Sequence, residues 1–121
     1  MNIELKSRDN TFKLMDKIKS YDLYIRTYVI NCIPKIHNDL RIHIFDELYE
    51  LVKNVKLSSI TKGNIQIKHL TNVLVNISIL DYLSDMLLEL NLSNKDKIIR
   101  SLSKLADIKN ISYSWFNKLN E

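Results

Sequence analysis

Apolar residues recur every three or four positions over most of this chain, which is the spacing that puts side chains on one face of an α-helix. The first such segment spans about residues 11–32 and the second about residues 35–56. Pro34 lies between them, and a proline pushes the residue before it out of the helical conformation while fitting well into the first turn of a new helix. We therefore predict a sharp corner at Pro34, with Pro34 in the first turn of the second helix.

Two further helical segments follow a polar loop predicted over residues 57–64, which contains the only glycine of the chain, Gly63. The third segment, about residues 65–91, has β-branched residues at alternate positions, as a strand often does. Its leucine-rich 3–4 spacing nevertheless continues for more than twenty residues without a breaker, which favours a helix. The fourth segment, about residues 93–119, begins at Ser93, where a serine followed by an acid three residues later indicates a capped helix start.

Four helices of about 20 residues with short links predict an all-α fold, an up-down-up-down four-helix bundle with helices ~30 Å long. The 121 residues, of which 45% are hydrophobic, suffice for one core and are too few for two domains, so we expect residues 1–121 to form a single domain. One glycine and one proline disfavour turn-rich β-sandwiches and barrels.

The third helix is apolar around most of its circumference, whereas a bundle helix normally keeps a polar outer face. Its apolar side chains include Val73, Leu74, Val75, Ile77, Ile79 and Leu80. We therefore predict that a second subunit covers its outer side, with Val73, Val75 and Ile79 in the interface. The alternative is that the surface simply tolerates these β-branched residues.

The charge and the single cysteine narrow the class of protein. Lys and Arg number 18 against 14 Asp and Glu, which gives a net charge of +4 and suits a polyanionic partner. The excess consists mostly of lysine and accompanies many isoleucines and asparagines, a bias that AT-rich codons also produce. Cys32 alone cannot form a disulfide scaffold or a cysteine zinc site, and we expect it to be a small buried residue in a reducing compartment. With no secretory leader and no apolar stretch of ~20 residues, we expect a cytoplasmic protein without a membrane segment.

Two groups of basic residues are spaced so that each shares a surface. Lys97, Arg100 and Lys104 are three and four residues apart, so we expect them on one face of the fourth helix, where cations can contact successive phosphates. The second group lies near the start of the second helix, whose N-terminus favours anions, and consists of Lys35, His37, Arg41 and His43. For the group on the fourth helix, the alternative is a solvated helix face. Nothing in the sequence indicates base-specific recognition.

The sequence contains little that indicates a catalytic function. The three histidines belong to no carboxylate–histidine repeat and no metalloprotease motif. His43, Asp46 and Glu47 lie within one turn of each other and could in principle hold a metal ion, although a solvated surface is the preferred interpretation. We therefore predict a non-enzymatic protein with no catalytic residue, no metal and no cofactor.

Trp115, the only tryptophan, is flanked by Tyr113 and Phe116 near the end of the last helix. Its spacing from earlier apolar residues turns one edge of this aromatic cluster toward the bundle. We expect an aromatic lid that closes one end of the core, and the alternative is an energetic hot spot for a partner.

Two motifs, taken together, resemble a known family. Ile33-Pro34-Lys35-Ile36-His37 resembles the corner of the accessory variability determinant proteins of diversity-generating retroelements, where a proline and a basic residue are followed by a second basic position. Asp107-Ile108 followed by Ser114-Trp115-Phe116 resembles the acidic-aliphatic pair and the closing tryptophan segment of the same family. The roughly 80 residues between the corner and the tryptophan also agree.

This resemblance implies a four-helix bundle that assembles into a ring-like homopentamer. It also implies that the ring binds the reverse transcriptase of the retroelement and, through basic surface, its template RNA or cDNA, supporting mutagenic copying without catalysis of its own. The matching positions are Pro34 as the corner, Lys35 and His37 beside it, and Trp115 as the closing aromatic. The related ribosomal-RNA intervening-sequence proteins share the fold, so the alternative function is a structural or protein-interaction bundle with no nucleic-acid role.

Overall fold

The computed structural model describes the backbone of residues 3–121 and the side chains of residues 10–121. The α-helices in this part of the chain are α1 (Ile3–Tyr28), α2 (Asn38–Ile60), α3 (Gly63–Glu89) and α4 (Lys95–Leu119). Each helix packs against the next, and α1 packs against α4, which closes an all-α up-down bundle and confirms the predicted fold class. Within residues 3–121, no helix combines the length and the hydrophobicity that a transmembrane segment requires.

The corner at Pro34 is more elaborate than a simple helix break. After α1 ends at Tyr28, Ile30–Cys32 forms a 3₁₀ turn, and a second 3₁₀ turn at Lys35–His37 precedes α2. Pro34 lies between the two turns in an extended conformation, with φ −62° and ψ 151°. The prediction that Pro34 occupies the first turn of the second helix was therefore wrong, because the proline links two 3₁₀ turns instead.

The link between α2 and α3 is much shorter than the predicted loop over residues 57–64. The hydroxyls of Ser58 and Ser59 donate hydrogen bonds of 2.7 Å to carbonyls of the preceding turn, so these polar side chains are satisfied inside the helix. Only Thr61 and Lys62 separate the two helices. Gly63 begins α3 with φ +66°, a left-handed conformation that glycine adopts without strain.

The start of α4 is capped by Asn94 and not, as predicted, by Ser93. Asn94 Oδ1 accepts a hydrogen bond of 3.0 Å from the backbone N–H of Lys97, which satisfies one of the free amides of the first turn. Ser93 Oγ instead donates to the carbonyl of Val29 at 3.0 Å. This bond places the Pro34 corner and the beginning of α4 at the same end of the bundle.

The core consists of one face of each helix. Among the described side chains of α1, the buried ones are Leu14, Ile18, Tyr21 and Ile25. Burial raises the pKa of the Tyr21 phenol far above its ordinary value, so this group remains neutral and bonds to Ser84. Trp115 is only 2% exposed, so its indole belongs to the core and presents almost no surface to a partner.

A chain of buried amides fixes the pairing of α2 with α3. Asn54 Nδ2 donates to Asn76 Oδ1 at 2.8 Å, and Asn76 Nδ2 donates to Glu47 Oε2 at 3.0 Å. Farther along the same interface, Gln66 Nε2 donates to the carbonyl of Ser58 at 2.8 Å. Because a shift of either helix would leave these buried groups without partners, the network selects one register.

The outer side of α3 differs from the prediction in one residue. Val73 is 0% exposed and packs in the core, so it cannot contribute to an interface on the outer side. Val75 and Ile79 are 49% and 37% exposed, and Tyr82 is exposed beside them at helical spacing. The predicted apolar outer face therefore exists as a stripe formed by Val75, Ile79 and Tyr82, whereas Ile77 and Leu80 belong to the core.

Candidate nucleic-acid interface

A groove of about 550 Å³ runs along α1 where that helix meets α4. We call it the α1–α4 groove. Its wall combines cations, hydroxyls and aromatic rings, formed by Asp16, Lys19, Ser20, Leu23, Tyr24, Thr27, Tyr28 and Lys104. Since α1 and α4 run antiparallel, the end of α1 lies beside the beginning of α4, and Lys97 extends the groove toward the Pro34 corner.

Two tyrosines one turn apart form the aromatic part of the groove. The ring centroids of Tyr24 and Tyr28 are 4.9 Å apart, and the ring planes are tilted by 48°. Tyr28 is 45% exposed. The Tyr24 hydroxyl, in contrast, is buried and has no hydrogen-bond partner among the described side chains. The pair therefore offers one accessible ring and one polar group whose hydrogen-bonding capacity is unused.

Two cations of the predicted basic strip lie over these rings. Lys97 Nζ is 4.5 Å from the centroid of the Tyr28 ring, and Lys104 Nζ is 5.3 Å from that of Tyr24. Both distances fall within the ~6 Å over which a ring attracts a cation. Lys104 Nζ also donates to Ser20 Oγ at 3.3 Å. Neither ammonium forms an ion pair with a carboxylate of the described residues, so both charges remain available to an anion.

The basic character continues along the α1–α4 seam away from the corner. Arg100, the third member of the predicted strip, is exposed between Lys97 and Lys104. Farther along, Lys17 and Asp107 form an exposed ion pair at 3.9 Å. Beyond this pair lies a smaller cavity of about 250 Å³ whose wall includes two lysines, formed by Asn10, Lys13, Asn110, Ile111, Ser114 and Lys118.

One member of the basic group at the corner, Arg41, holds the backbone of the corner. Arg41 Nη2 donates to the carbonyls of Ile30 at 3.3 Å and Ile33 at 2.6 Å, and Nη1 donates to Asn38 Oδ1 at 3.2 Å. Its guanidinium is thus committed to the carbonyls of the first 3₁₀ turn and the residue after it. Lys35 is exposed and His37 is half-buried, so Lys35 is the member of this group best placed to meet a phosphate.

Replacing Arg41 with alanine should destabilise the protein by about 1.5–3 kcal/mol, because it removes charge-assisted hydrogen bonds to partly buried carbonyls. Urea unfolding followed by circular dichroism measures the change. Lys35→Ala, at an exposed position in the same group, should leave the unfolding midpoint unchanged. Equal stability of the Arg41→Ala variant and the parent would contradict the role of Arg41 as a clamp.

The residues considered as a metal site do not come together in the required way. His43 and Asp46 are exposed, while a carboxylate oxygen of Glu47 accepts the hydrogen bond from Asn76. Across the residues that the structure describes, no group of three His, Cys, Asp or Glu side chains is arranged to hold a metal ion. Cys32 is exposed beside the corner, so its predicted burial was wrong.

Several residues of the groove were missed in the sequence because their grouping depends on tertiary structure. The sequence pattern alone does not mark Tyr24 or Tyr28 as binding residues. The usable signal was their spacing of four residues, with Ser20 four residues earlier. Comparison with protein-family models, curated proteins and solved structures finds no match for this chain.

Proposed function

We propose that this protein is a non-catalytic accessory subunit that binds RNA or its cDNA along the α1–α4 groove and presents it to a reverse transcriptase. The observation that carries the nucleic-acid part is the placement of Lys97 and Lys104 over the rings of Tyr28 and Tyr24. The reverse-transcriptase partner is supported by the resemblance of the Pro34 corner and the Trp115 segment to the retroelement accessory family.

The charges of the groove suit a phosphate backbone. Lys97 and Lys104 are seven residues apart on one helix, which separates them by about 10 Å along the axis, with Arg100 between them. Such a row can follow successive phosphates of one strand, and each contact releases condensed counterions. Binding of this type is favoured by low salt and does not depend on sequence.

The test of this function is binding of labelled RNA and DNA at ~50 mM salt, where the electrostatic contribution is strong. We expect binding that weakens steeply as salt is added. The absence of any binding at this salt concentration would overturn the proposal and favour a protein-interaction bundle.

The second candidate function, a protein-interaction bundle, is favoured by the apolar stripe of Val75, Ile79 and Tyr82 on the outer side of α3. Exposed apolar side chains at helical spacing are typical of a surface that another chain covers. A stripe on one helix that meets a different surface of the next copy produces a ring when the rotation closes. We propose that this stripe contributes to a homopentamer, in which case both candidate functions share the same assembly.

Light scattering on a sizing column tests this assembly. Five copies of the 14.3 kDa chain would give about 71 kDa, which is the expected mass. The double variant Val75→Asp, Ile79→Asp should elute as a monomer, because it would bury two unpaired carboxylates in the interface. Ser103→Asp, at an exposed position on a different helix, α4, should leave the mass unchanged. A parent protein of about 14 kDa would contradict the interface.

A further inference from the structure

The aromatic rings of the α1–α4 groove indicate which form of nucleic acid fits there. A phosphate backbone alone is recognised by cations, and both duplexes and single strands offer one. Tyrosine rings strengthen binding only when a base has a free face that can stack on them. In a duplex, neighbouring base pairs cover those faces. A groove that combines cations with aromatic rings therefore suits unpaired bases.

Tyr28 is the ring that an unpaired base can reach first. It is 45% exposed, and the wall of the same groove also contains Leu23, another exposed apolar side chain. The ammonium of Lys97 lies 4.5 Å from the centroid of this ring. A cation over an exposed ring is held only weakly, whereas base stacking on an aromatic side chain is a stronger interaction. The arrival of a strand can therefore transfer this ammonium from the ring to a phosphate.

Tyr24 provides a second, independent indication. Its hydroxyl is buried with no hydrogen-bond partner in the part of the chain that the structure describes, and the side chain of Lys104 lies over its ring with Nζ also bonded to Ser20. A buried hydroxyl without a partner is costly. A strand that displaces Lys104 from this ring can offer the hydroxyl an acceptor. Ligand binding thereby removes an unfavourable feature of the free groove.

The acidic neighbours define where the strand passes. Asp16 is the carboxylate in the wall of the groove, and it lies on α1 three turns before Tyr28. Lys17 and Asp107 pair with each other at 3.9 Å in the same region of the seam. Phosphates are therefore favoured at the opposite end of the groove, where Lys97 lies over Tyr28 close to the Pro34 corner.

From these features we infer that the α1–α4 groove is selective for single-stranded nucleic acid, with an unpaired base stacked on Tyr28 and the flanking phosphates bound by Lys97 and Lys104. This inference rests on the proposed function, since it specifies the form of the nucleic acid bound there. RNA and DNA strands share this chemistry, so both are expected to bind.

The test is a fluorescence anisotropy titration with a labelled 12-nucleotide RNA, the DNA of the same sequence, and the duplex of each strand with its complement. We expect either single strand to bind at least about fivefold more tightly than its duplex, because stacking of a base on an aromatic side chain is worth this factor or more. Tyr28→Leu should reduce single-strand affinity about tenfold and leave duplex affinity unchanged. Tyr28→Phe keeps the ring and should retain the affinity of the parent.

Two controls separate stacking from charge and from folding. Tyr49→Leu replaces an exposed tyrosine on α2, outside the groove, and should bind like the parent. Lys97→Gln should weaken single strands and duplexes alike, because it removes a phosphate contact. In the parent protein, 2-aminopurine placed within the strand should lose fluorescence on binding as its ring stacks, a readout that requires no variant.

The results distinguish this inference from the proposed function. Duplexes that bind as tightly as single strands, or a Tyr28→Leu variant that retains single-strand affinity, would overturn selectivity while leaving nucleic-acid binding intact. Failure of every strand and duplex to bind would overturn the proposed function, and the selectivity with it.

Discussion

Replacing Lys97, Arg100 and Lys104 together with glutamate will abolish the salt-dependent binding of RNA in a filter assay. The three side chains form one row on α4, two of them over the tyrosines of the groove, and the substitutions turn three attractive contacts into repulsive ones. For a single strand, the logarithm of the affinity falls with the logarithm of salt concentration by about 0.7 for each phosphate contact. Loss of three contacts therefore lowers this slope by about 2.

A matched control separates the row from the total charge of the protein. Lys53, Lys56 and Lys109 are exposed lysines outside the groove, and their replacement with glutamate changes the net charge by the same amount. This control should weaken binding only slightly and keep most of the salt dependence. Two results would show that phosphates do not follow this row: a Lys97, Arg100 and Lys104 triple variant that binds RNA as the parent does, or an equal loss of binding in this variant and the control.

Trp115→Ala will cause the largest loss of stability, because this side chain is the largest of those that are almost fully buried. Truncation of a buried tryptophan leaves a cavity and costs about 3–5 kcal/mol. Urea unfolding followed by far-ultraviolet circular dichroism measures the change without the tryptophan signal. The Trp115→Phe variant should lose less, since it keeps an aromatic ring and removes an indole N–H that is buried without a hydrogen-bond partner among the described side chains of residues 10–121.

The same experiment decides between the two interpretations of the aromatic cluster at the end of α4. An aromatic lid requires the loss of stability, together with tryptophan emission at the short wavelengths of an apolar environment. A Trp115→Ala variant that unfolds at the urea concentration of the parent, but no longer binds a partner, would contradict the lid and support the hot spot.

The fold was predictable because the signal for each helix is local. The 3–4 spacing of the buried residues recurs in all four helices that the structure describes, and this periodicity survives the β-branched residues of α3. The corners were predicted less well because side-chain hydrogen bonds decide them. Ser58 and Ser59 bond back to their own helix and prolong it, and Ser93, a good capping residue by type, bonds to Val29 on another element while Asn94 caps α4.

The candidate site was predictable only where it lies on one helix. The row of Lys97, Arg100 and Lys104 follows from spacing alone. Its position over Tyr28 and Tyr24 does not, because that depends on the antiparallel contact between α1 and α4. Arg41 shows the opposite case, since its charge indicated an anion site and its contacts with the corner carbonyls give it a structural role.

The outer side of α3 illustrates a further limit of sequence patterns. Val73 and Val75 are the same residue type two positions apart, and they differ from complete burial to 49% exposure because two positions rotate the side chain by about 200° around a helix. Counting the apolar residues of the whole helix therefore overestimates the number of apolar side chains on its outer face. The helical register, once known, restricts that face to the stripe of Val75, Ile79 and Tyr82.

Ultraviolet cross-linking tests directly whether nucleic acid lies in the α1–α4 groove. A 4-thiouridine RNA is cross-linked to the parent protein, and the adducts are located by mass spectrometry. This measurement needs no variant and does not depend on the oligomeric state. We expect the adducts on the groove residues of both helices, above all Tyr28, Tyr24, Lys97 and Lys104. Adducts concentrated on α2 or on the outer stripe of α3, with none on the groove, would contradict the account.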